Sequence, residues 1–397
     1  MPQDIAVRFP HLRRPERNRM ELLDKYLKEL EMLVNTDSGQ DSPEGIRADA
    51  RFYAGELEKM GWHTEMVEVD YAAPCVVSYN RKADHYDLLL TGHMDTVFPK
   101  GTAAERPYTQ IEDRLYGPGI CDMKAGCLSI IYALRDMPAE VVDKLNIVII
   151  FQPDEEIGSV YSRNMMCEYA KKTDVALVME ASDNEGPEPT RCIQRKGMLR
   201  LDFNFHGRAG HAGSLISNGA ISAINEMAYW IIRLKELTNA RTGTTCNIGL
   251  VNGGIGNNVV PAFSHMSGEV RFEREDEAQK AFALLEELYS HAEAAGVRVE
   301  KLTDKYAAPM VPSAETLAFV RRMQELEAQE GRKLAVRKRG GLSSANFLSK
   351  YVSICVDGMG PEGGKAHAVD EYLLVDSIIP SLRLTQAVIR ELASHKL

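Results

Sequence analysis

His93 and Asp95 close the apolar run YDLLLTG as HMD, Glu155 and Glu156 follow LNIVIIFQ in PDEE, and Glu180 ends DVALVM. His367 comes a short Gly-rich loop after VSICVDG, and Asp122 sits in YGPGICDMKAG, a Gly/Pro-rich turn ahead of a helical pattern. Imidazoles and carboxylates without thiolates suit Zn2+ or a similar divalent ion, and two His with three acids can hold two ions when one carboxylate bridges. Strands end in polar residues for many structural reasons, so each of these residues alone carries little weight. Their recurrence at the end of one apolar run after another is harder to dismiss.

The spacing separates roles. His93 and Asp95 are two apart, so on an extended chain both side chains project to one side, where the carboxylate can accept the proton of the ring nitrogen not used for a metal. Glu155 and Glu156 are neighbours that point in opposite directions. Only one of them can easily be a ligand, and the other then faces the open side of the metal, where a general base for water is needed.

The elements that must position these residues read as an α/β catalytic domain. The short apolar runs lack polar alternation, as expected of strands buried on both faces, and helical patterns lie between them; the first is the stripe of Leu22, Leu23, Tyr26, Leu27, Leu30 and Leu33. A mainly parallel sheet covered by helices follows, with functional groups collecting beyond the carboxyl ends of the strands. From Met198 to Phe205 the pattern becomes strict alternation, MLRLDFNF, which is a strand with one wet face. Helical and strand-like segments after it predict an inserted α+β domain with an antiparallel sheet at 196–303, between the two parts of the catalytic domain, 1–195 and 304–397.

Composition excludes several other classes. The 397 residues carry a net charge of −10 and no long basic track, so nucleic acid is not an expected partner. Seven Cys at irregular spacing and without a CxxC pair imply a reducing compartment rather than a disulfide framework. With neither an apolar leader at the N-terminus nor an 18-residue apolar run, the expectation is a cytoplasmic enzyme that does not engage a membrane. GPGICDMKAG has Gly117 and Gly119 but no third Gly in register, so a dinucleotide fingerprint fails.

In order and spacing, GHMDTV, GICDMKAG, PDEEIGS, the Glu of VMEAS, GRAGHAG, NNVVPA and GGKAH resemble the zinc metallopeptidase family of glutamate carboxypeptidase, aminoacylase, acetylornithine deacetylase and succinyl-diaminopimelate desuccinylase. The resemblance runs from about Leu88 to Leu374 and is closest to glutamate carboxypeptidase-like members. It implies two Zn2+, with Co2+ or Mn2+ as alternatives: His93 and Glu180 on one ion, Glu156 and His367 on the other, Asp122 bridging. Asp95 would support His93, and Glu155 would take a proton from the bridging water and return it to the leaving nitrogen. The inserted domain would be a lid through which the chain forms a homodimer. His211 of GRAGHAG would stabilise the oxyanion, often from the partner subunit, while Asn258 and Arg271 would grip a substrate carboxylate side by side. Ser344 in GGLSSAN stands where the family commonly has Asp, beside a specificity pocket.

Cleavage of small peptides bearing a free carboxylate and removal of N-acyl groups (deacylation, deacetylation, desuccinylation) both attack an amide carbonyl and expel an amine, so the catalytic residues leave both open. A metal-binding homologue without turnover would lack the base or a ligand, and here all are present.

Overall fold

Ile, Val and Leu runs too short for helices pay for their backbone ordering only when both faces are covered, and the central sheet is built from them. The computed structural model describes residues 14–71, 73–183, 186 and 188–394. Its central strands are β1 (His63–Val67), β2 (Cys75–Tyr79), β3 (Tyr86–His93), β4 (Ile147–Gln152) and β5 (Thr173–Val178). With Ile354–Val356 they form a six-stranded sheet in the order β1-β2-β4-β3-β5 followed by that last strand. β4, β3, β5 and Ile354–Val356 run parallel, whereas β1 and β2 add an antiparallel edge. β4 is buried along its whole length. The helices α1 (Arg14–Val34), α2 (Pro43–Lys59) and α3 (Ala125–Arg135) contribute Leu30, Leu57 and Leu128 to the same core as the C-terminal helix Val375–Ala393.

Register places the chemistry. His93 lies opposite Gln152, and Thr91 opposite Val178, so the carboxyl ends of β3, β4 and β5 open on one edge. Residues just beyond those ends converge there. A second, small sheet was not expected from the sequence. It orders Thr109–Ile111, Arg114–Tyr116, Tyr372–Leu374, Glu362–Gly364 and Ser182–Asp183, all short segments without readable periodicity. Its strands flank the 117–122 turn and the 365–371 segment.

The chain divides into two compact units, the second comprising Gln194–Val311 and Lys338–Leu342. The expected 196–303 insertion falls inside that unit but is too short. Tyr306 and Ala307 still pair with the antiparallel sheet of that unit, Met310 exchanges hydrogen bonds with Arg195, and the Lys196 amide donates to Arg339. These pairings join segments distant in sequence, which local periodicity does not report.

The second unit has an antiparallel sheet of β6 (Gly197–His206), β7 (Thr245–Gly253), β8 (Phe263–Phe272) and β9 (Arg298–Lys301) in the order β7-β8-β6-β9. Burial along β6 alternates as its sequence does. Leu199, Leu201, Phe203 and Phe205 face the helices α4 (Ala223–Lys235) and α5 (Glu275–Ser290). Trp230 of α4 meets Phe203 and Phe205 edge-on, at centroid distances of 5.2 and 5.4 Å.

Candidate metal centre and active site

Each site residue is fixed by a local device. β3 ends at His93, and the chain then turns so that the Asp95 carbonyl, not its carboxylate, is the nearest partner of His93 Nδ1, at 2.9 Å against 3.5 Å. The expected carboxylate contact is present but longer than the carbonyl one, because the strand stops at His93 instead of running extended through Asp95. The Asp95 carboxylate also accepts from the amides of Glu155, at 3.1 Å, and Glu156, at 2.8 Å. It therefore orients the Glu pair from below. Asp154 closes the same loop by accepting from the amides of Tyr161 and Ser162.

Asp122 is held between α1 and α3. Gly119 has φ 70°, a left-handed conformation that suits glycine, and the turn it makes delivers residues 120–124. Lys124 is buried and donates to the Leu33 and Thr36 carbonyls, both at 2.6 Å, at the C-terminal end of α1. Gly126 lets α3 approach the end of β5, since a Cβ there would lie 1.9 Å from the Met179 carbonyl oxygen. That close approach sets Glu180 beside Asp122.

The result is two triads that share one carboxylate. His93 Nε2 lies 3.1 Å from Asp122 Oδ1 and 3.7 Å from Glu180 Oε1. On the other side, His367 Nε2 lies 3.1 Å from Asp122 Oδ2 and 3.3 Å from Glu156 Oε2. Within each triad the donor atoms all fall within 4.8 Å of one another. The other Glu156 oxygen, Oε1, is buried with no hydrogen-bond partner, as an atom reserved for a cation would be. A neutral imidazole and hard carboxylate oxygens on each side fit a divalent ion such as zinc. His367 itself sits at φ 67°, a strained position for a residue with a side chain, and strain of this kind gathers at functional sites.

Electrostatics agree with that reading. Burial pushes Glu180 well above the carboxylate range, and the charge of Asp122 adds to it. Burial raises Glu155 to about 8 against the pull of His93, with Glu156 and Asp95 repelling it further. His367 is raised to about 10 by the carboxylates of Asp122 and Glu156. Burial opposes protonation of His93, but Asp122 and Asp95 outweigh it and leave the ring well above its usual value. Without cations the acids are thus balanced by protons, and ligand nitrogens must lose those protons to bind metal. The sign follows: at pH 7 His367 is charged, so metal uptake should release at least one proton per chain, and affinity should rise from pH 6 to pH 8. Calorimetric Zn2+ titrations in buffers of different ionisation enthalpy measure this; uptake without proton release would contradict the protonated His367.

His211, Asn258 and Arg271 belong to the second unit. His211 pairs with Val259, and the Ala212 amide donates to the Asn258 carbonyl, so His211 and Asn258 share one end of the β6–β8 ribbon. His211 Nδ1 accepts from the Gly213 amide at 3.1 Å, which puts the proton of the neutral ring on Nε2. Arg271 lies toward the opposite end, paired with Met198. Eight residue steps along β8 separate it from Phe263, roughly 26 Å at a strand's rise, and Asn258 lies beyond Phe263. One protomer therefore does not place Asn258 and Arg271 on a single carboxylate, contrary to the expectation of a side-by-side grip, which was blind to strand length. The Arg271 guanidinium is already forked onto Glu269, at 2.9 and 3.2 Å.

Ser344 is buried against the end of β4, where its hydroxyl accepts from the Gln152 side-chain NH2; Gln152 Oε1 in turn accepts from the Ser162 hydroxyl at 2.9 Å. It belongs to an interior hydrogen-bond chain. Sequence reasoning missed Lys124 and Glu371, the latter a buried carboxylate beneath the Asp122 turn. Lys124 had one signal, a charge set between apolar neighbours in DMKAG; Glu371, beside the charged Asp370 in VDEYLL, had none.

Among the described residues no helix is long and apolar enough to cross a membrane. Residues 89–391 match the model of peptidase family M20/M25/M40. The chain is 28% identical to carboxypeptidase G2 of Pseudomonas sp. (strain RS-16) over 378 residues, 93% of this chain and 90% of that protein. It is 26% identical to the succinyl-diaminopimelate desuccinylase of Delftia acidovorans over 327 residues, 78% of this chain and 82% of that protein. Its fold resembles that of aminopeptidase PepT from Bacillus cereus, with a TM-score of 0.74 at 18% identity, covering 94% of this chain and 99% of the other. A dinuclear metal-binding peptidase of the M20 family from Bacillus subtilis gives a TM-score of 0.67 at 15% identity over 94% and 99% of the two chains. With the family model matched over well more than half its length, the chain belongs to peptidase family M20/M25/M40 and is a metal-dependent hydrolase of C–N bonds.

Proposed function

We propose that the protein is a dinuclear zinc hydrolase that cleaves an amide bond in small peptides or N-acyl amino acids bearing a free carboxylate. The observation that carries this reading is Asp122, which turns one oxygen to His93 and the other to His367. His93 and Glu180 would hold one ion, Glu156 and His367 the other. Bound there, the ions would polarise the scissile carbonyl and acidify the attacking water.

The remaining steps belong to the chain. Glu155, buried beside the triads but part of neither, takes a proton from the attacking water as the new C–O bond forms. It passes that proton to the amide nitrogen as the C–N bond breaks, giving a carboxylate and an amine. Asp95 keeps Glu155 and Glu156 in register through their amides. His211 donates Nε2–H to the oxyanion, and Arg271 holds the substrate carboxylate in a fork that Lys cannot copy.

Because His211 and Asn258 sit far along the ribbon from Arg271, we assign Arg271 of one chain and His211 and Asn258 of the partner subunit to one site. The edge of the lid sheet supports a homodimer. β7 is an edge strand with Leu250 65% and Val251 57% exposed, and Ile232 of α4 is 65% exposed. An apolar open edge of this kind favours pairing with a second copy.

Similarity over nearly the whole of carboxypeptidase G2 supports the peptidase reading. The desuccinylase relative supports the alternative, N-acyl removal at the same site. An assay of the zinc-loaded protein against dipeptides, folate-type glutamates, N-acetyl and N-succinyl amino acids decides between them; no hydrolysis of any would defeat both. His211→Ala should keep its metals and lose roughly 10²-fold or more in turnover. Mixed with Glu155→Gln protein under subunit exchange, it should regain activity, and absence of complementation would rule out the shared site.

A further inference from the structure

We propose that Glu371 is a positioning residue for the metal centre: its carboxylate sets the pose of Asp122, so that the single segment 367–371 both supplies a ligand and fixes the bridge. The inference rests on the dinuclear reading above. Glu371 is 1% exposed. Its Oε2 accepts from the Gly119 amide at 2.9 Å, and its Oε1 from the amides of Cys121 at 2.8 Å and Asp122 at 3.0 Å.

Three converging N–H donors need an acceptor with two oxygens and no hydrogen of its own, which among side chains means a carboxylate. Burying one beside Asp122 adds like charge, a poor choice for a tie that serves folding alone. Beneath a centre that takes up cations, the same charge becomes favourable. The three amides bracket the left-handed turn at Gly119 and end at Asp122 itself, so they fix the Asp122 backbone from which the bridging carboxylate is aimed. From above, His367 Nε2 meets the same carboxylate at 3.1 Å. Both ends of the segment are anchored in the small sheet, by Glu362–Gly364 and Tyr372–Leu374. Asp122 is therefore gripped from two sides by residues four apart in sequence, across a separation of 249 residues from Glu371.

Glu371→Gln keeps the size but puts an NH2 group against at least one amide donor. Glu371→Asp keeps the charge but withdraws it by one methylene. The full-length protein, freed of metal, is titrated with Co2+ alone and followed by visible absorption and chelator competition. Each variant should bind Co2+ about 10–100-fold more weakly than wild type, with an altered absorption spectrum, the scale on which groups that orient ligands act. Metal-free wild type and variants should melt within a few degrees of one another. If the Gln variant does not fold, the Asp variant decides. Wild-type Co2+ affinity and spectrum in a folded variant, or loss of the metal-free fold in both, would overturn the proposal. Failure of wild type itself to bind Co2+ would overturn the metal centre instead.

Discussion

Glu155→Gln should keep two metal ions per chain and lose about 10²–10⁴-fold of its turnover, the usual cost of removing a general base. The amide is nearly the same size and can sit in the same loop under Asp95, but it cannot accept a proton. Glu156→Gln should do the opposite: it removes the negative charge and one of the two oxygens beside His367, so the second ion should be lost and activity with it. Metal content by elemental analysis and turnover on one substrate read both variants. The Asp95 hydrogen bonds go to the two backbone amides and survive either change, so a difference between the variants reports their side chains. If Glu155→Gln loses metal while Glu156→Gln keeps it, base and ligand are reversed.

Arg271→Ala should lower kcat/KM for a free-acid dipeptide by on the order of 2–5 kcal/mol, and far less for the matching amide. The lower end is expected. Glu269 already neutralises the guanidinium, so a substrate carboxylate must share it with or displace that residue, which reduces the net gain. About 2 kcal/mol corresponds to roughly 30-fold. Equal losses on acid and amide would make Arg271 a structural partner of Glu269 and remove the carboxylate requirement.

The candidate ligands were legible because a parallel strand buried on both faces advertises itself as an apolar run, and the polar residue that ends it is where chemistry collects. His93, Glu155, Glu156 and Glu180 were found this way, and the alternation in MLRLDFNF marked the change to a one-sided sheet. His211, Asn258 and Arg271 carried no such local signal and came from motif resemblance alone. The small sheet that holds Asp122 against His367 pairs two- and three-residue segments from residues 109 to 374, and hydrogen bonds across such gaps leave no period to read. Glu371 belongs to that class. The separation of Asn258 from Arg271 was hidden for a different reason: thirteen residues apart in sequence says nothing of distance until one knows that most of them form one extended strand.

Whether Asp122 joins two cation sites is read from the metal stoichiometry of the wild type and Asp122→Asn. Calorimetric Zn2+ titration of the chelator-treated wild type should give two ions per chain, with a rise in melting temperature on loading that grows with free zinc. Asn offers one oxygen and no charge, so Asp122→Asn should weaken both sites together and lose hydrolysis. A wild type that takes up no zinc and gains no thermal stability, or an Asp122→Asn variant that still binds two ions as tightly, would show that Asp122 does not join two cation sites.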